Sequence, residues 1–157
     1  MIYSKEKLEE IIQTSCEELF INQPMLFSKK DNVNEQTVST ELSKVLSKHF
    51  EKYHVNCEYN RMFDKYGKHI EKKLEINDNN KLSSVFPDII VHRQEDNLNN
   101  ILAIEMKMSW KNKGKEHDIE KLKLYVRDVG YKFAIYLELG ELKITEMQWF
   151  LQPYSKY

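Results

Sequence analysis

Three charged residues lie inside two stretches of the sequence that are otherwise apolar. Asp88 lies within residues 85–91, and Glu105 and Lys107 lie within residues 101–108. Charged side chains are rarely buried unless they are paired or bind a metal, because an isolated charge loses its hydration when it leaves water. The sequence therefore predicts that these three side chains form a polar site within the fold.

The spacing of these residues indicates what such a site could do. Residues two apart in a strand face the same side, so Glu105 and Lys107 share a face. Turn-forming residues at 94–100 predict an antiparallel hairpin, which brings Asp88 next to Glu105. Neighbouring carboxylates repel each other unless a cation lies between them, and their oxygens suit Mg²⁺ or Mn²⁺. Such a cation lowers the pKa of a bound water, and Lys107 could orient that water.

The elements that position these residues are predicted from the spacing of the apolar side chains. The pattern predicts helices over 4–20, 33–52 and 116–129, and strands over 55–59, 85–91, 101–108, 132–139 and 142–150. The polar, lysine-rich residues 64–82 are predicted to form a connection or a flap. The predicted fold class is α/β, with a mixed central sheet flanked by helices and an extra helix at the N-terminus.

In this arrangement the chain resembles the PD-(D/E)xK phosphodiesterase superfamily, which includes the restriction endonucleases. The signature reads Pro87-Asp88 and then Glu105-Met106-Lys107. The resemblance implies one domain over 1–157. It has a restriction-endonuclease-like core of order α-β-β-β-α-β at 34–139, a helical addition at 1–24 and an extra strand at 142–150. The flanking residues 55–61 and 118–122 are similar to a group of bacterial proteins in this superfamily.

The resemblance also implies roles for the residues of the signature. It makes Asp88 and Glu105 ligands of Mg²⁺ (or Mn²⁺), and it makes the backbone carbonyl of Met106 a third ligand. Lys107 is implied to activate the attacking water.

Members of the superfamily often add an acidic residue from the helix that precedes the first strand. Glu35 and Glu41 are the candidates. Glu35 lies on the same helix face as the apolar residues Val38 and Leu42, whereas Glu41 lies off that face. Glu35 is therefore the predicted fourth catalytic residue, and the alternative is a solvated carboxylate in the first turn of a helix.

Several lysines follow the second apolar stretch and could bind a phosphate backbone. These lysines are Lys111, Lys113, Lys115 and Lys121. The alternative is an ordinary solvated face of the protein, because runs of surface charge commonly have no ligand.

Composition limits the other classes of function. The formal net charge is −1, so the composition does not indicate the strongly basic surface that is typical of a nucleic-acid-binding protein. No apolar run approaches the roughly 20 residues of a membrane span. Cys16 and Cys57 have no partners at metal-ligand spacing, and the N-terminal residues do not form an apolar signal segment. We expect a cytoplasmic protein without a membrane partner.

The expected function is metal-dependent hydrolysis of phosphodiester bonds by a nuclease, with DNA as the expected substrate and nucleic acid as the partner. A homodimer would supply the two sites needed to cut both strands. Two alternatives stay open at this point. One is a catalytically inactive nuclease-fold module that binds nucleic acid or a protein, and the other is a structural domain in which the three charges only pair with each other.

Overall fold

The computed structural model describes residues 3–75, 82–111 and 113–153. The helices are α1 (Lys5–Asn22), α2 (Glu35–Ser47) and α3 (Lys115–Leu124), with a 3₁₀ turn at Pro24–Phe27. The strands are β1 (His54–Cys57), β2 (Arg61–Phe63), β3 (His69–Glu71), β4 (Lys73–Glu75), β5 (Leu82–Ser84), β6 (Ile89–His92), β7 (Leu102–Met108), β8 (Phe133–Gly140) and β9 (Lys143–Leu151).

A five-stranded sheet of order β1-β6-β7-β8-β9 forms the centre of the fold. Its neighbouring strands run antiparallel except β7 and β8, which are parallel and are connected through α3. A parallel pair requires such a crossover, because a short turn can only reverse the chain. The predicted α/β class, with a mixed sheet flanked by helices, is confirmed.

Helices cover both faces of the sheet. On one face, α1 and α2 pack against apolar side chains of β6, β7 and β8, including Ile89, Ile104 and Ile135. On the other face, α3 packs against side chains that alternate with these, including Ile90 and Ala103. Because both faces of β7 are buried, charged side chains on it must find partners within the protein.

The third predicted helix, 116–129, is interrupted by a change of helical type. The α-helix ends at Leu124, and residues Tyr125–Val129 form a π-helical turn. Gly130 follows with φ of +83°, a left-handed conformation that glycine adopts at little cost. The predicted end of the helix at Gly130 is therefore confirmed, although its last turn is wider than an α-helix.

The connection predicted at 64–82 contains short strands that the sequence did not predict. Strands β2 and β3 form one two-stranded sheet, and β4 pairs with β5 in another. Each of these strands has only three residues, which is too short to show an alternating pattern in the sequence. Residues 76–81 of the predicted connection lie outside the described residues.

The described part of the chain also gives information about membrane-spanning helices and about the two cysteines. Within it, no helix is long and apolar enough to cross a membrane. Cys16 is buried, Cys57 is half-buried, and both are free thiols.

Candidate hydrolytic and metal site

The register between β6 and β7 brings the two central carboxylates together. Ile89 pairs with Ile104, so the next pair along the hairpin places Asp88 directly opposite Glu105. Directly opposite residues project from the same face of a sheet. Both carboxylates therefore lie on the face that α3 covers.

The ladder between β6 and β7 ends at the pair Ile89–Ile104, just after Pro87 and Asp88 in the sequence. The Pro87 carbonyl accepts from the N–H of Glu58, which directly follows β1, at 2.8 Å. A proline has no N–H, so Pro87 cannot add a donor to a strand ladder. The Met106 N–H donates instead to Oδ2 of Asp88, at 2.8 Å. Since the N–H and carbonyl of one strand residue point to the same side, the Met106 carbonyl lies on the Asp88 side of β7.

Glu105 is almost completely buried, with 2% of its surface exposed. Its Oε1 accepts a hydrogen bond from the Tyr125 hydroxyl at 3.1 Å and pairs with Lys121 Nζ at 3.1 Å. Burial and repulsion from Asp88 raise the pKa of Glu105 well above its usual range, and Lys121 opposes that shift. These two contacts therefore offset part of the hydration that the Glu105 carboxylate loses on burial.

The pKa of Asp88 is also raised. Burial is the main cause, and the hydrogen bond from the Met106 N–H opposes it. Two adjacent carboxylates with raised pKa values favour a shared proton or a cation between them. The pair thus has the electrostatic character of a cation site.

Lys107 does not contact these carboxylates directly but is connected to them through α3. Its Nζ lies 3.0 Å from Oδ2 of Asp118, and the other oxygen of Asp118 lies 3.3 Å from Lys121. Lys121 then pairs with Glu105, as described above. The result is a row of alternating charges that ends at the two carboxylates.

The loop before α3 also holds Lys107 in place. The Lys107 ammonium donates to the carbonyl of Lys113 at 2.5 Å. Gly114 follows with φ of +84°, and a Cβ atom at this position would lie 3.3 Å from Lys107 Nζ. This backbone conformation favours glycine, which also leaves room for the ammonium.

Glu35 reaches the same strand from the opposite face of the sheet. It is the first residue of α2, which is capped by Asn34, and its Oε2 accepts from the Met108 N–H at 3.1 Å. Met108 lies two residues beyond Met106, so its N–H points to the same edge of β7, about 7 Å further along. Glu41 contacts Gln23 and Lys44 at the surface instead. Of the two predicted acids, the structure brings Glu35 to the site strand.

Three residues of α3 and the π-helical turn that follows it belong to this site but were not assigned to it from the sequence. They are Asp118, Lys121 and Tyr125, which follow each other at spacings of three and four and therefore share one face of the helix. Lys121 was predicted to contact phosphate, and Tyr125 was predicted to point into the core. Asp118 and Lys121 lie on the side of the helix that also carries the buried residues Leu122 and Tyr125. Polar residues on such a buried side were the signal that could have identified this part of the site.

The other predicted phosphate-binding lysines lie on or near the surface. Lys113 is exposed and Lys111 is half-buried. Lys115 is paired with Glu146 on β9, with 2.6 Å between Nζ and Oε2. Lys121 differs from these three because it lies within the charged row, with 15% of its side chain exposed.

The residues at the site fit a divalent cation. Within the described ranges, no three His, Cys, Asp or Glu side chains lie close enough to hold a metal by themselves. The predicted ligand set needs only two carboxylates, because a backbone carbonyl completes it. Asp88 and Glu105 supply hard oxygen donors, and the Met106 carbonyl lies on the Asp88 side of β7.

Comparisons with known proteins give little further information. The sequence matches no protein-family model and no curated protein. Among solved structures, the chain is similar to the crystal structure of SSO0001, with 16% sequence identity and a TM-score of 0.44. The alignment covers 93% of this chain and 66% of that chain, so this chain spans about two thirds of the other's length. A likeness at this level carries no argument about fold family or function.

Proposed function

We propose that this protein is a metal-dependent nuclease that hydrolyses phosphodiester bonds in DNA. We further propose that its sheet and helices form a restriction-endonuclease-like core. The observation that carries both proposals is the pairing of Asp88 with Glu105 beside Pro87. A purely structural ion pair needs only one carboxylate for each ammonium, whereas this pair of raised-pKa acids is suited to a cation.

When bound, Mg²⁺ or Mn²⁺ would supply an acidic water and would stabilise negative charge on a phosphoryl oxygen. Asp88, Glu105 and the Met106 carbonyl would hold it. The N–H of Met106 fixes the orientation of the Asp88 carboxylate, and the Tyr125 hydroxyl does the same for Glu105. These hydrogen bonds keep both ligands in place before any cation arrives, which lowers the cost of binding.

Lys107 and Glu35 are proposed to act on the reacting groups. Lys107 is the cation that would orient the attacking water and neutralise charge on the phosphate. For this it must exchange at least part of its contact with Asp118 for the substrate, and Asp118 keeps Lys121 as a partner when it does. Glu35 is bound to the same strand edge, where a carboxylate can accept a proton from water.

One observation favours the second candidate function, a nuclease-fold module without catalysis. Each charge in the row from Lys107 to Glu105 already has a partner within the protein. Such a closed arrangement would be stable without a cation. The two candidates differ in a single requirement, since only the nuclease needs Asp88 and Glu105 to bind a divalent ion.

Substitution Asp88→Asn tests that requirement. We expect Mg²⁺ at about one hundred times its dissociation constant to stabilise the unaltered protein by about 2.7 kcal/mol, which raises the Tm by about 5–10 °C. Asparagine retains an oxygen to accept from the Met106 N–H but loses the charge. The Tm of Asp88→Asn should therefore not respond to Mg²⁺, as measured by thermal unfolding with and without the ion.

A matched control is Asp128→Asn, which removes a carboxylate that lies beside Arg127 at the surface. This variant should retain the full Mg²⁺ response. An equal rise in Tm for Asp88→Asn and the unaltered protein would contradict the proposed ligand set.

The surface lysines give a separate prediction about DNA binding. Replacing Lys111 and Lys113 by alanine should make the slope of log affinity against log salt shallower, by about 0.9 for each phosphate that the variant no longer neutralises. Replacing Lys115 should change the slope less, because Glu146 already neutralises it. The measurement is DNA binding over a range of salt concentrations without divalent metal.

Lys132 provides the control for this series. It is exposed and lies just before β8, at the other end of the strand from the candidate site. Its replacement should leave the slope unchanged. If the Lys111 and Lys113 variants behave like the Lys132 variant, these lysines are ordinary solvated charges.

A further inference from the structure

A surface pocket of about 350 Å³ opens at the end of the strand that carries the candidate site. Its lining is Lys29, Ser109, Trp110, Gly140, Glu141 and Lys143. Ser109 directly follows β7, and its N–H donates to the Leu139 carbonyl of β8 at 2.8 Å. The pocket therefore begins two residues beyond Lys107, where the two parallel strands end. Ligands commonly bind at the carboxyl ends of parallel strands in α/β proteins.

Trp110 gives the pocket a fixed aromatic wall. Its indole Nε1 donates to Oδ1 of Asn32 at 3.3 Å, and its ring packs partly against the core on the α1 and α2 side. A ring that is anchored at one edge and remains partly exposed loses little entropy when a flat ligand stacks on it. Nucleic-acid bases stack on aromatic side chains in this way without regard to sequence.

Gly140 lines the pocket beside Ser109, and the space at this position does not admit a side chain. A Cβ atom at this position would lie 2.7 Å from Thr145 Cγ2 and 3.4 Å from Ser109 Oγ. The absence of a side chain thus leaves the floor of the pocket open. Lys29 and Lys143 add two positive charges and Glu141 one negative charge, so the lining carries one net positive charge.

We propose that this pocket binds one nucleotide of a single strand that passes the hydrolytic site, with its base on Trp110 and its phosphate between Lys29 and Lys143. The inference rests on the proposed function, because it makes the pocket a subsite for the same substrate. It also specifies the substrate class as single-stranded or locally unpaired nucleic acid, because only there is the face of a base exposed for stacking. A duplex hides the face that Trp110 would contact.

The test is binding of an oligothymidylate of about eight nucleotides in the absence of divalent metal, so that no cleavage is needed. Fluorescence anisotropy of the labelled oligonucleotide reports affinity. We expect Trp110→Ala to weaken binding by about fivefold to a hundredfold, the range that loss of one stacked base produces. Trp110→Phe retains a ring and should lose less, which separates stacking from a failure to fold.

The two lysines of the pocket are replaced together, and two lysines outside the pocket are replaced together as a control of equal charge. Lys29→Ala with Lys143→Ala should weaken binding at least fivefold, and Lys52→Ala with Lys132→Ala should not, although both variants lose two charges. Trp149→Phe leaves Trp110 as the single tryptophan of the chain, and its fluorescence should then be quenched by the oligonucleotide to saturation. Inorganic phosphate alone should not produce this quenching.

Each outcome separates the subsite from the proposed function. Weaker binding in the Trp110 and Lys29–Lys143 variants supports the subsite even if no cleavage is found with Mg²⁺. Cleavage by a Trp110→Ala variant with unchanged affinity overturns the subsite and leaves the nuclease intact. Equal quenching by inorganic phosphate also overturns it, because the pocket would then bind an anion without a base.

Discussion

Replacing Lys107 by alanine is expected to slow metal-dependent cleavage by about a hundredfold to ten-thousandfold, the range typical for loss of a group that acts on the reacting proton. The variant should still bind Mg²⁺, because Asp88 and Glu105 are unchanged. Its free energy of unfolding should fall by only about 1–2 kcal/mol, since Asp118 retains its contact with Lys121. Single-turnover cleavage rates, Mg²⁺ binding and urea unfolding measure the three quantities.

Lys123→Ala is the matched control for this experiment. Lys123 lies on α3 two residues beyond Lys121, but it is exposed. The Lys123→Ala protein should therefore cleave at the normal rate. If Lys107→Ala folds and cleaves at the same rate as Lys123→Ala, the catalytic role of Lys107 is contradicted.

Replacing Lys72 by methionine is expected to stabilise the protein strongly near neutral pH. Lys72 is only 1% exposed, and its ammonium donates to the Tyr131 hydroxyl at 3.1 Å and the Tyr59 carbonyl at 3.3 Å. Burial lowers the pKa of Lys72 from 10.5 to about 7. The rings of Tyr59 and Tyr131 lie 5.9 and 5.1 Å from the ammonium and attract it, which offsets part of the desolvation.

The direction of the pH dependence follows from these two pKa values. An unfolded lysine binds its proton below about pH 10.5, whereas the folded Lys72 binds it only below about pH 7. Between these values the unfolded state holds more protons, so the stability of the unaltered protein rises with pH. The gain from Lys72→Met should thus be about 2–4 kcal/mol larger near pH 7 than near pH 10.

Urea unfolding of both proteins at a series of pH values measures this difference. Lys73→Met serves as the control, because Lys73 is the next residue and 47% of its side chain is exposed. It should show no gain that depends on pH. A Lys72→Met gain that stays constant from pH 7 to pH 10 would mean that the folded lysine keeps an ordinary pKa.

The elements that carry most of the core were predictable because burial leaves a periodic pattern. Strand β7 was expected over 101–108 and spans Leu102–Met108, and α1 was expected over 4–20 and spans Lys5–Asn22. The strands β2 to β5 were missed because each is three residues long. The strand predicted at 85–91 begins only at Ile89, since Pro87 cannot continue the ladder.

The composition of the site was predictable in part. The two-residue period of a strand placed Glu105 and Lys107 on one face, and the turn at 94–100 placed Asp88 beside Glu105. The partners of these residues could not be predicted in the same way. Whether Lys107 meets Asp118, and whether Lys121 meets Glu105, depends on how α3 is rotated and how closely it packs on the sheet.

Cleavage of supercoiled plasmid DNA by the purified protein tests the proposed nuclease activity most directly. The reaction is run with Mg²⁺, with Mn²⁺ and with a chelator, beside the Asp88→Asn protein under the same conditions. We expect nicked or linear products with either cation, and none with the chelator or with Asp88→Asn. Intact plasmid in every reaction, together with a Tm that does not respond to either cation, would contradict a metal-dependent nuclease.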